Sequence, residues 1–411
     1  MERTAADGWL YAIVLLIMSI GIANLYSIEG FPPFGWKYAY VRQTAWALLA
    51  IGVMIVASLT EGQLWRYLSY LLYASGIGIM LLTALIAREV KGARAWLEIG
   101  GFRFQPSEFM KVATALTLAA FMSRYDFRWS RLREAAGALV IIFLPALLTL
   151  LQKDTGTTLT YAGLLAGCYR GGLAAWVIVI PLALGVLAFL TLLMPWYYLA
   201  LGIGLVGTAS YLLLFRRQKL LLHLLIIGGL ILWLAGAGTL YRYVLAPHQK
   251  QRVQALLDPY SDPLGAGWNT IQARLAVVAG GFSGKGYGKG LQSKLDFIPQ
   301  RHTDFAFCGI AEEWGWLGSA LFLGLYAVFL LRIAHLAENS NSDFTLYYGY
   351  ALAGVLWIHW VIDVSMIVGF FPVVGIPLVF ISYGGSSWIA VAWGIGMLQS
   401  LYRERRMRLF G

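Results

Sequence analysis

The stretch KGYGKGLQSKLDFIPQRHTDF, from Lys285 to Phe305, gathers Lys285, Lys289, Lys294, Arg301 and His302 and closes on one carboxylate, Asp304. Cations interleaved with glycines suit an anionic ligand, with the aspartate placed at the mouth of its site. A second basic stretch, REVKGARAWLEIGGFRFQPSEFMK, runs from Arg88 to Lys111 and holds Arg88, Lys91, Arg94, Arg103 and Lys111. Within it Glu108 and Lys111 are three residues apart, share one helix face and are expected to pair. Further on, QKDTGTT places Lys153 and Asp154 at the end of an apolar run. The nested glycines of GKGYGKG have neither a strand before them nor a suitable helix after them, so a dinucleotide fingerprint is not expected. Cys168 and Cys308 are the only cysteines, which excludes a disulfide framework or a cysteine metal site.

The elements that must hold these residues are membrane helices. Of the 411 residues 59% are hydrophobic and 12% charged, and apolar runs recur at the length needed to cross ~30 Å of hydrocarbon. Twelve spans are expected, near 9–29, 42–60, 67–87, 107–123, 135–152, 157–171, 173–194, 197–215, 220–245, 308–333, 345–368 and 386–402. Gly8–Ser27 lacks a small-residue cleavage site and is expected to stay as an anchor. An even count puts both termini on one side, and Arg403, Arg405, Arg406 and Arg408 make that side cytoplasmic. Thirteen of the sixteen Lys and Arg residues then left outside lie in two segments, 88–111 and 242–301. Such concentration on one face points to two loops that meet around a phosphate-bearing ligand. The net charge of +11 has no soluble basic domain to serve a nucleic acid, so lipid phosphate is the expected partner.

Local signals refine this reading. Gly100 and Gly101 are expected to join two short extended pieces, and Pro106 to open a helix through Ser107 and Glu108. Trp268–Val278 has amphipathic spacing and suits a short helix on or in the membrane surface. Gly369–Ser387 is interrupted by Pro372, Gly375, Pro377, Gly384 and Gly385. Non-helical backbone at that depth must line protein or a cavity. Asp363, within the eleventh span, is expected to be protonated or paired, since a charge there costs roughly 2.5–3.5 kcal/mol.

FRFQPSEFMK (Phe102 to Lys111), DPLGAG (Asp262 to Gly267), LDFIPQRHTDF (Leu295 to Phe305), AEEWG (Ala311 to Gly315) and ISYGGSS (Ile381 to Ser387) together resemble the SEDS family of shape, elongation, division and sporulation proteins. The wording is closer to its elongation member than to its division member. The resemblance implies an all-α polytopic membrane protein, a SEDS-like helical bundle of about twelve spans. These are a ten-span core, an inserted hairpin at 173–215 and a large extracytoplasmic loop at 246–307, all within one membrane domain over 1–411. It implies a peptidoglycan glycosyltransferase that polymerises lipid II beside a class B penicillin-binding protein. Asp304 matches the family's essential loop aspartate, Glu108 and Lys111 its ion pair, and Arg94, Trp96 and Asp154 functionally sensitive positions.

The chemistry suits these residues. Glycosyl transfer from a pyrophosphate donor needs a base for the acceptor hydroxyl and positive charge for the leaving group. Asp304 is the candidate base. Arg94, Lys111, Lys285, Lys294 and Arg301 are candidate anion stabilisers, with His302 in the substrate-binding set. A divalent cation, Mg²⁺ or Mn²⁺, on Asp304 or Asp154 could share that task, though no metal motif demands one. Two residues depart from the family: Val379 stands where proline is usual, and Asp363 where asparagine is frequent. The competing expectation is a flippase for the same lipid-linked precursor, which the broken segment and Asp363 would suit.

Overall fold

Backbone in hydrocarbon satisfies its N–H and C=O groups only within itself, and the apolar runs accordingly form helices. A computed structural model describes the protein except residues 1–5, 90–91, 101, 214–219, 244–246, 263–266, 295–299 and 408–411. Each expected span coincides with helix: α1 (Gly8–Ile28), α2 (Ala39–Leu59), α3 (Gly62–Ile86), α4 (Pro106–Met122) and α5 (Leu132–Leu151) lead. The sixth is broken into α6 (Thr155–Thr160), a 3-10 turn (Tyr161–Leu164) and α7 (Leu165–Arg170). Then come α8 (Trp176–Leu193), α9 (Trp196–Leu213), α10 (Leu220–Tyr243), α11 (Pro247–Leu257), α12 (Trp268–Gly280), α13 (Leu291–Lys294), α14 (Ala306–Glu338), α15 (Asp343–Val368) and α16 (Gly385–Met407). By length and composition alone, seven of these, α1–α3, α5, α8, α14 and α15, could cross a membrane. The 17-residue α4 is shorter, and it holds Glu108 and Lys111 among residues buried along almost its whole length.

The chain divides into two compact units, residues 1–173 with 268–411, and residues 174–267. The hairpin expected at 173–215 forms α8 and α9, but its unit continues through α10 and α11, and the loop expected at 246–307 is shared between the two units. In the smaller unit α10 packs on α8 and α9, and Trp233 Nε1 donates to the Leu184 carbonyl at 3.0 Å. No residue of α8 is buried, as an all-apolar helix surrounded by lipid allows.

In the larger unit α2 lies along α16, α3 against α4, and α15 touches α4, α7, α12 and α14. The contact between α15 and the broken sixth span is backbone on backbone. A Cβ on Gly163 would stand 2.3 Å from the Gly354 carbonyl oxygen, so only small residues permit it. Trp388, Tyr326, Tyr348, Phe329 and Phe380 fill the core.

Two interruptions position the site. In α14, Gly315 has φ +65°, a left-handed conformation glycine adopts without a Cβ clash. The backbone donors freed by this kink, Trp316 and Leu317 N–H, reach the carbonyls of Gly281 and Phe282 at 2.8 and 3.0 Å. The glycine-rich loop is thereby fastened to the kink. The second interruption is 369–384, where α15 ends on left-handed Gly369 (φ +83°). Its buried backbone finds partners: Leu378 N–H donates to Ser382 Oγ at 3.0 Å, and the Ser382 carbonyl accepts from Trp388 Nε1 at 2.9 Å.

Candidate functional site

The first basic segment forms a small antiparallel hairpin, Leu97–Ile99 with Phe102–Phe104, in the register Leu97↔Phe104 and Glu98↔Arg103. Gly100 turns it at φ +57°. The chain then enters α4 with Pro106 in its first turn, where a missing N–H costs nothing. One turn on, Lys111 Nζ lies 2.8 Å from Glu108 Oε1, with both side chains only 3% exposed. The pair reaches further than sequence spacing shows. Lys111 Nζ also lies 2.8 Å from His359 Nε2 on α15, and His359 Nδ1 lies 3.0 Å from the Pro377 carbonyl. The ammonium can only donate, so Nε2 accepts and Nδ1 carries the proton given to Pro377. Glu108 Oε2 is buried without a hydrogen-bond partner among the described residues.

Asp154 caps α6. Its Oδ1 accepts from Thr157 N–H at 3.0 Å, and its Oδ2 accepts from Thr157 Oγ1 and Gln105 Nε2, each at 2.8 Å. Burial pushes its carboxyl above the ordinary carboxylate range, against the pull of the Thr157 bonds. Gln105 N–H donates to Ser386 Oγ at 3.1 Å, tying the hairpin to the start of α16. Arg94 is half-exposed, 3.5 Å from Glu89, and its N–H donates to the Gln152 carbonyl at 2.9 Å. Trp96 is half-buried beside it in the chain.

The second basic segment meets the same framework. Tyr383 N–H donates to the His302 carbonyl at 2.7 Å, so the residues before Asp304 are held on the SYGG turn. His302 Nε2 lies 4.0 Å from Glu29 Oε1, and Glu29 accepts the Ala39 and Tyr40 N–H groups at the start of α2. Asp304 is half-buried and faces Gly375; a Cβ there would stand 3.4 Å from Asp304 Oδ2. Gly375 has φ +77°, so the segment bends beside the carboxylate with no side chain in the way. Arg301 is half-buried and precedes His302 on the same turn that carries Asp304.

The remaining expected residues divide. Lys285 Nζ lies 3.0 Å from Glu312 Oε1, a fully buried carboxylate that also accepts the Leu291 and Gln292 N–H groups at 2.8 and 3.0 Å. Its charge neutralises Glu312, which gives it a structural task. Lys111 is 2% exposed, its ammonium held between Glu108 and His359. Lys294 ends α13, but its side chain lies outside the described residues, as do Leu295–Pro299 of the LDFIPQ motif. The amphipathic stretch at 268–278 is α12, packed on α14 and α15. Asp363 was expected to be protonated or paired; it is fully buried, neither oxygen has a hydrogen-bond partner among the described residues, and it lies within electrostatic reach of Asp304.

Sequence reasoning missed His359 and Glu312. His359 had one available signal: it stands four residues before Asp363, on the same helix face. As for a cation, both Asp154 oxygens already accept hydrogen bonds. Among the described residues no group of three or more His, Cys, Asp or Glu could hold a metal ion.

Known proteins share this architecture. A family model described as cell cycle protein, covering FtsW, RodA and SpoVE, matches residues 8–200 and 199–407. The peptidoglycan glycosyltransferase MrdB of Escherichia coli strain K12 is 34% identical over 410 residues, covering 99% of this chain and 96% of that protein. The peptidoglycan glycosyltransferase RodA of Treponema pallidum is 31% identical over 423 residues, covering 96% and 97%. A chain from a solved structure described as "Structural coordination of polymerization and crosslinking by a peptidoglycan synthase complex" superposes with a TM-score of 0.71 at 29% identity, covering 98% of this chain and 99% of that one. The crystal structure of RodA from Thermus thermophilus, at 23% identity, shares the fold with a TM-score of 0.65, covering 98% and 99%. The protein is an integral membrane protein of the SEDS type, and it belongs to the FtsW/RodA/SpoVE family.

Proposed function

We propose that the chain is a peptidoglycan glycosyltransferase that polymerises lipid II, a disaccharide-pentapeptide on undecaprenyl pyrophosphate, during cell elongation. The observation that carries this reading is Asp304, a half-buried carboxylate set against Gly375 and joined through His302 to the SYGG turn. Asp304 takes the proton of the acceptor sugar hydroxyl as its oxygen bonds to the anomeric carbon of the donor. The bond from that carbon to the pyrophosphate breaks, and the lipid pyrophosphate leaves. Arg94, Arg301 and Lys294 stabilise the developing charge. Lys111 acts from beneath by holding α4 and the 369–384 segment in place, while Trp96, Asp154 and His302 shape the walls. Lys285 contributes by neutralising Glu312.

The site faces the outer side of the bacterial cytoplasmic membrane, with both termini in the cytoplasm. Its product is crosslinked by a class B penicillin-binding protein, and the surrounding partners are membrane lipids; no nucleic acid takes part. The direct test is a gel assay for glycan chains made from lipid II by purified protein, with and without that partner. The assay compares wild type with Asp304→Ala and Asp304→Asn. Near-normal synthesis by either variant sinks the base assignment. Wild type that moves fluorescent lipid II across vesicles without making polymer would favour a flippase instead.

A further inference from the structure

Arg42 and Gln43 open the second helix where it meets the SYGG turn, and no role above uses them. The Arg42 guanidinium lies over the Tyr383 ring, 5.5 Å from its centre. An arginine stacked in this way is held in place while its edge donors stay available. Among the described residues its buried Nε has no hydrogen-bond partner, and no carboxylate lies within ion-pair distance of it. Gln43 is fully buried, and its orientation is set because Gly384 N–H donates to Oε1 at 3.1 Å. That leaves Gln43 Nε2, a donor, also buried and without a hydrogen-bond partner among the described residues.

Two buried donors and a positive charge without an acceptor are incomplete. A buried donor left unsatisfied costs about 1–3 kcal/mol, so such a pair persists where a ligand completes it. Glu29, the nearest acidic residue along the chain, already accepts the Ala39 and Tyr40 N–H groups. The missing partner must bring acceptor oxygens and negative charge. Tyr383, which Arg42 covers, donates its N–H to the His302 carbonyl two residues before Asp304. The incomplete donors thus flank the SYGG turn, to which the residues before the proposed base are bonded.

We infer that Arg42, with Gln43 beside it, is the phosphate-binding corner of the site and takes the oxygens of a lipid-borne pyrophosphate. This rests on the glycosyl-transfer reading for the ligand's role, but not for its chemistry. The pyrophosphate belongs either to the sugar donor or to the released carrier lipid, and an anionic phospholipid headgroup is the competing source of the same oxygens.

The experiment uses full-length protein in nanodiscs, with farnesyl pyrophosphate as the probe and farnesyl monophosphate, farnesol and phosphatidylglycerol as comparison arms. Wild type is expected to be stabilised on heating by the pyrophosphate, and its glycan synthesis to be inhibited by it, with little effect of farnesol or phosphatidylglycerol. Arg42→Gln should raise the half-inhibitory concentration and the KM for lipid II about 10- to 100-fold, the loss of one hydrogen bond to a charged group. Arg42→Lys should fall between, because it keeps the charge but not the stacked fork. It also serves as the second variant if Arg42→Gln does not fold. Unchanged inhibition in a folded Arg42 variant overturns the inference, as does phosphatidylglycerol competing equally well. Protein that binds the pyrophosphate through Arg42 yet makes no glycan supports the corner and overturns the glycosyltransferase reading.

Discussion

Glu108 and Asp304 are both acids beside basic residues, yet the fold treats them in opposite ways. Glu108 is 3% exposed and bonded to Lys111, which is bonded in turn to His359. Asp304 is half-buried and rests against a glycine. A buried pair gains little from its own attraction after desolvation, but losing one partner strands the other. The first acid therefore serves as a fixed point that locks α4 to α15 and, through Pro377, to the bent segment. The second, under the function proposed above, is the one that meets a substrate hydroxyl. The contrast teaches that two acids beside cations can differ wholly in burial and partners.

The contrast can be broken in several places. The largest effect should come from Asp304→Asn, with glycan synthesis from lipid II falling roughly 10²- to 10⁴-fold while the melting temperature holds. Lys111→Ala should do the reverse first. It leaves Glu108 and His359 buried without their shared partner and should lower stability by about 3–5 kcal/mol, read by thermal unfolding in detergent. His359→Leu removes one acceptor from Lys111 and the donor to Pro377. About 1–3 kcal/mol is expected from that variant on the same measurement.

Gly375→Ala tests the boundary between the two regions. A Cβ at φ +77° costs about 1–2 kcal/mol and would stand 3.4 Å from Asp304 Oδ2. Synthesis should drop more than stability, and equal losses in both would argue that the bend has no part in placing Asp304. The smallest effect belongs to the exposed pair Glu98–Arg103, 3.0 Å apart on the hairpin. Glu98→Ala should change stability by less than about 1 kcal/mol, because solvent screens such pairs. A larger loss would show that exposure does not separate the two kinds of charge.

Much of this was legible in the sequence. The spans followed from apolar length, the hairpin from Gly100 and Gly101, the start of α4 from Pro106, and the Glu108–Lys111 pair from three-residue spacing. Each is a local property, decided within one turn or one span. The family wording marked Asp304 and the bent segment at 369–384. The division at 174–267 was not legible, because apolar helices that pack on each other look the same in sequence as those that enter a larger core.

What the sequence determined by itself is a chain of membrane helices with two basic loops and one carboxylate at the edge of an apolar span. What only the tertiary structure decided is which charges are available. His359 meets Lys111 from 248 residues away, Glu312 pairs with Lys285 from 27 residues away, and Gly375 comes to lie beside Asp304. Availability is set by partners brought together from distant segments, and periodicity along one chain carries no record of them.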